Sequence, residues 1–181
     1  MSDLSAFTPE EKDLLIGVFF RTGRWVSSVD ETGDYTAEVA EEKELLTRLG
    51  RLKREIKDSG IIGEIGSEAA RRHGDWKDGN LDAEEILCDV QQAGKLISMR
   101  LGEDALSAYK TALMQIATEI ARAYREEEAN GHDVAGADTV FAHVRQFFAG
   151  AIDRFVTKNL NISGREADAL ERLSTTLKNI E

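Results

Sequence analysis

Residues 8–29, TPEEKDLLIGVFFRTGRWVSSV, decide how this chain folds. Thr8, Pro9, Glu10 and Glu11 have the form of a helix start. A threonine hydroxyl can accept a first-turn N–H, and proline suits the first helical position, where its missing N–H is no loss. The glutamate three residues on can reach back to the cap. Leu14, Leu15, Val18, Phe19, Thr22, Val26 and Val29 then recur at helical spacing, which predicts a helix to about residue 28. Gly33 breaks the pattern.

Working outward, a second helix is expected from about Thr36 to Ser59-Gly60, with Val39, Leu45, Leu46, Leu49, Leu52 and Ile56 inside. "GIIGEIGSEAARRHG" predicts a short third helix ending at Gly74, and "DWKDGN" a turn. Asp82 with Glu85 makes a second capping box, for a helix that runs through Arg100 and is closed by Gly102. A fifth helix runs from about Asp104 to Ala129. Asp138 caps a sixth, which carries Val140, Phe141, Val144, Phe147, Phe148, Ile152, Phe155 and Val156. Ser163 and Glu166 form a third capping box before Ala167, Leu170, Leu173, Leu177 and Ile180. No segment alternates as a strand does, and no linker interrupts the chain. The expectation is one all-α domain over residues 1–181, a bundle of about seven helices. Its core would come from the first, second, fifth and sixth.

Composition agrees. Hydrophobic residues make up 41% and charged residues 31% of the 181 residues, with one proline, as in a globular helical protein. No apolar run approaches the roughly 18 residues that a spanning helix needs, so membrane insertion is not expected. "MSDLSAFTPEEKDLL" has neither the basic nor the apolar region of a signal peptide. Cys88 is the only cysteine and so has no intrachain partner, which fits a reducing cytoplasm. It reads as a small core residue. The net charge of −11 opposes binding to nucleic acid or to an anionic membrane. The basic clusters at 48–57 and 71–72 are short or interleaved with acids, and read as solvated helix faces.

Between the first two helices lies the densest acidic run. Asp30, Glu31, Asp34, Glu38, Glu41 and Glu42 precede the first base, Lys43. Asp30 and Asp34 fall on the expected turn. Glu38 and Glu42 share a helix face at i and i+4, as do Glu38 and Glu41 at i and i+3. Hard divalent cations take six or more oxygen ligands, several of them carboxylates. Asp30, Asp34, Glu38, Glu41 and Glu42 are therefore the candidate site for a weakly held Ca2+ or Mg2+, or for a basic partner segment. The alternative is helix-start chemistry alone, since acids there gain about 0.3–1 kcal/mol each from the macrodipole. A second acidic stretch, "DWKDGNLDAEE", has a glycine where a calcium loop needs one. It has Gly74 and Trp76 where the first two carboxylates belong, so a capped turn is expected.

Catalytic patterns are missing from the sequence. His73, His132 and His143 follow Ala70, Ala129 and Val140 at three residues, where a di-iron helix needs glutamate. No CxxC, HExxH, phosphate loop or nucleophile elbow occurs, and no catalytic or cofactor-binding residue is expected.

The outline of apolar helix, acidic glycine-containing turn and second helix is present twice. Sliding the later unit onto the earlier one places Leu15 on Leu113, Val18 on Ile116, Val26 on Tyr124 and Asp30 on Glu128. In this it resembles the TerB-like family of tellurite-resistance proteins. That family's mark is an Ala-Asp-Gly turn followed by a glutamate that opens the next helix. "SSVDETGDYTAEVAEEKEL" keeps an acid-glycine-acid turn and the following glutamates, stretched by a few residues. "YREEEANGHDVAGADTVF" keeps acids and glycine in another order. The resemblance covers Leu14–Leu52 and Leu113–Phe148. It implies an all-helical cytoplasmic protein linked to bacterial stress response and to metal or oxyanion resistance, without catalysis. The competing expectation is a helical scaffold with no small ligand, which would self-associate through faces such as Phe147-Phe148.

Overall fold

The computed structural model describes residues 3–29, 43, 45–47, 49–50, 60–76, 79–123 and 164–181. After a 3-10 turn at Asp3–Ala6 come α1 (Pro9–Ser28), α2 (Gly60–Arg71), a 3-10 turn at His73–Asp75, α3 (Ala83–Leu101), α4 (Glu103–Ala123) and α5 (Gly164–Lys178). Residues 43, 45–47 and 49–50 are helical too, and no strand occurs among the described residues. The protein is all-α. The expected sixth helix, the far end of the fifth and the acidic turn of "YREEEANGHDVAGADTVF" lie outside the described residues, and so does the test of the duplication.

Local chemistry sets the helix ends. Thr8 Oγ1 accepts the Glu11 N–H at 3.3 Å and the Glu11 carboxylate accepts the Thr8 N–H at 2.8 Å, so the predicted capping box is present. At α3 the box is only half formed. Asp82 Oδ1 accepts the Glu85 N–H at 3.0 Å. The Asp82 N–H, however, donates to Asn80 Oδ1 at 3.1 Å, and Glu85 accepts from Asn80 Nδ2 at 3.0 Å. Asn80 has taken the reciprocal arm. Gly102, at φ 84°, ends α3 in a backbone conformation that a side chain would strain, and α4 begins at the next residue. α2 stops at Arg71, short of the expected Gly74, which falls inside the second 3-10 turn.

α1 is the central helix. It packs against α2, α3, α4 and α5, and Leu15, Ile16, Val18, Phe19, Phe20, Trp25 and Val26 are all buried. The single apolar face expected from periodicity is thus widened to most of the circumference, as in a helix enclosed by others. The core also draws more widely than expected. Ile61, Ile62 and Ile65 of α2, Ile86, Val90 and Ile97 of α3, and Leu170, Leu173 and Leu177 of α5 are buried in it. In its centre the Phe19 and Tyr109 rings stand 5.7 Å apart. The Tyr109 hydroxyl, fully buried, donates to the Val90 carbonyl at 3.0 Å.

Candidate functional site

The five acids proposed from the sequence, Asp30, Asp34, Glu38, Glu41 and Glu42, lie outside the described residues. The structure shows where their stretch is attached. Upstream, α1 ends at Ser28, whose hydroxyl donates to the Trp25 carbonyl at 2.9 Å, and Val29 is packed half-buried on the core. Downstream, Lys43 is exposed while Leu45 and Leu49 are buried. Leu45 fills the space that a side chain at position 23 would need. A Cβ on Gly23 would collide with Leu45 Cδ1 and stand 3.1 Å from Cδ2 and 3.3 Å from Cγ. Val29 and Leu45 are therefore both on the core, with Leu45 against α1. Sequence reasoning placed Leu45 inside but missed its partner. The signal was a glycine in the middle of an apolar helix, which costs about 1 kcal/mol against alanine and calls for a packing reason.

Beside this attachment, the acids of α3 are committed to arginines. Arg21, largely buried, pairs with Asp89 and reaches Glu85 at 3.8 Å. Arg172 of α5 pairs with Glu84 at 2.5 Å and lies 5.8 Å from the Trp25 ring centre. These contacts brace the outer side of the last turns of α1 against α3 and α5. Among the described residues, no three His, Cys, Asp or Glu side chains gather as a metal site would require.

The second acidic stretch, as far as it is described, is a capped turn, with Asp82, Glu85 and Asn80 occupied by one another. Trp76 packs rather than projects. Its Nε1 is 2.7 Å from where a Cβ on Gly17 would stand, and the Arg72 guanidinium lies over its ring at 5.0 Å. Arg72 also holds Asp13 at 2.7 Å and Asp75 at 2.8 Å, and those carboxylates raise its pKa. Arg71 pairs with Glu68 at 2.5 Å, and its hydrogen bond lowers the Glu68 pKa. An open cleft of about 680 Å3 runs between these residues and the first turn of the chain, lined by Leu4, Lys12, Ile16, Glu64, Ser67 and their neighbours. Its charged walls largely neutralise each other.

Cys88 is exposed, contrary to the core position expected for it. The inward face of α3 is set by Ile86, Val90, Ala93 and Ile97, and Cys88 sits about 200° around the helix from Ile86. Its sulfur accepts from Gln92 Nε2 at 3.4 Å. His73 is half-buried, with Nδ1 at 3.0 Å from the Ala70 carbonyl and its ring 6.2 Å from that of Phe20.

No family model, curated protein or solved structure matches the chain. Among the described residues, no helix is long and apolar enough to cross a membrane.

Proposed function

We propose that this chain is a non-enzymatic interaction module of the TerB-like kind. Its acidic stretch binds a divalent cation such as Ca2+ or Mg2+, or a basic segment of a partner protein. Asp30, Asp34, Glu38, Glu41 and Glu42 are the groups assigned to that role. The observation that supports the reading is the attachment of the stretch: Val29 on one side and Leu45 on the other are both held on the core, and Leu45 is held on α1 itself. Fixed flanks reduce the conformational entropy lost when carboxylates gather around a positive charge. The arginines next to the attachment, Arg21 and Arg172, already have acids of α3 as partners. Like charges packed this densely repel, and a visiting cation relieves that repulsion.

The cellular setting, stress or tellurite resistance in a bacterial cytoplasm, rests on the sequence resemblance alone. Thermal melting with EDTA, Ca2+ and Mg2+ tests the cation arm. A cation that binds only the folded state adds about 2.7 kcal/mol at 100 times its dissociation constant. That gain should vanish in Asp34→Asn plus Glu38→Gln. Identical melting of both proteins in all three solutions, together with a partner pull-down insensitive to the substitutions, would remove the proposal.

A further inference from the structure

α5 ends at Lys178 and Asn179 is exposed, yet Ile180 returns to the core. Helical hydrogen bonding is weakening here. The Asn179 N–H is shared between the Thr175 and Thr176 carbonyls at 3.2 Å each, and the Ile180 N–H reaches Leu177 only at 3.4 Å. Ile180 is nonetheless 3% exposed. Its side chain enters a notch on α3 that exists because residue 94 is glycine. A Cβ there would stand 2.7 Å from Ile180 Cδ1 and 3.3 Å from Tyr109 Cε1. From α4, Lys110 Nζ donates to the Ile180 carbonyl at 2.8 Å. The notch and the lysine tie both lie outside α5 and belong to the α3–α4 pair.

We propose that residues 179–181 form a strap that latches α5 onto the α3–α4 pair, and that α5 is a unit able to open on its own when the latch is released. Leu170, Leu173 and Leu177 pack α5 on the core, and the strap adds a separate closure at its end. Ile180 is a single aliphatic plug, its receptor is a backbone notch, and its carbonyl is tied by a lysine on a neighbouring helix. Helices opened by loss of such a closure exchange their amides ahead of global unfolding. Release would uncover the notch at Gly94 and the edge of Tyr109, while α1 keeps its contacts with α2, α3 and α4.

Hydrogen exchange by mass spectrometry on the full chain tests this, comparing the wild type with Ile180→Ala and Lys110→Met. The first empties the notch, and the second removes the tie while keeping most of the aliphatic stem. Circular dichroism checks that each variant is still folded. The expected result for both is exchange about tenfold faster or more in residues 165–178, with α1 unchanged. If Ile180→Ala does not fold, Lys110→Met alone carries the test. Unchanged exchange in α5 would overturn the latch. A uniform rise across α1, α3 and α5 would also overturn it, since Ile180 would then be an ordinary core residue.

Discussion

At Gly23, Leu45 occupies the volume of the missing side chain, and that close approach ties the far end of the acidic stretch to α1. Rotating the Leu45 methyls can relieve Cδ1, but the branch point would still stand 3.3 Å from a new Cβ, so Leu45 must also shift. Gly23→Ala gains about 1 kcal/mol in helix propensity and loses about 1–3 kcal/mol to overpacking. The net effect in urea denaturation should be destabilising, and a stabilised variant would mean that Leu45 moves aside freely. Tyr109 carries a second prediction. Burial, and then the nearby Asp89 charge, push its pKa well above the ordinary value. The neutral form is therefore favoured when folded, so its contribution is complete below about pH 10, the unfolded value. It is lost as pH rises beyond that, because only the unfolded chain ionises. Wild type should thus lose stability above pH 10 more steeply than Tyr109→Phe; parallel curves would count against it. Inward positions such as Leu15, Phe19 and Leu173 were legible from spacing. The pairing of Gly23 with Leu45 and of Gly94 with Ile180 was not, because a glycine records that something approaches without recording what.

For whole elements, the starts were more legible than the neighbours. Thr8 and Glu11 form their box from four consecutive residues, so the sequence contained the entire interaction. Thr8→Ala should cost about 1 kcal/mol, and Asp82→Ala a similar amount, both read from denaturation midpoints; no change in either would contradict the capping geometry. The Thr8 backbone hydrogen bond, and then Arg100, hold the Glu11 carboxyl below its ordinary value. Its contribution is therefore present above the unfolded pKa and is lost as pH falls through the lower folded one. Asn80 shows why the second box, expected whole, forms only in part: a competing side chain two residues upstream of Asp82 supplied both partners. α1 shows a similar limit. "LLIGVFF" is apolar almost without interruption, and a search for one periodic face assigns Ile16 and Phe20 to no partner. Their partners are helices distant in sequence, and the wrapping of α1 by four of them is a tertiary fact.

Taken as a molecule, the chain is an all-helical core around α1, with an acidic stretch fixed at both flanks to that helix. The fold class was legible because helix periodicity, caps and composition all agree. The candidate site was legible only as a density of charge, since convergence of carboxylates depends on backbone geometry that spacing does not determine. Net charge of −11 adds a difficulty, because any cation is drawn weakly to the whole surface. A useful control therefore removes the same charge elsewhere, at the exposed α5 positions Asp168 and Glu171.

The most direct measurement is calorimetric titration of Ca2+, Mg2+ and a hexalysine peptide into three proteins. These are the wild type, Asp34→Asn plus Glu38→Gln, and the control Asp168→Asn plus Glu171→Gln. The account predicts saturable binding of at least one titrant to the wild type and the control, weakened about tenfold or more in the Asp34 and Glu38 variant, a difference of about 1.4 kcal/mol. Equal binding by all three proteins, or no saturable binding by any, would contradict the claim that the acidic stretch is an interaction site.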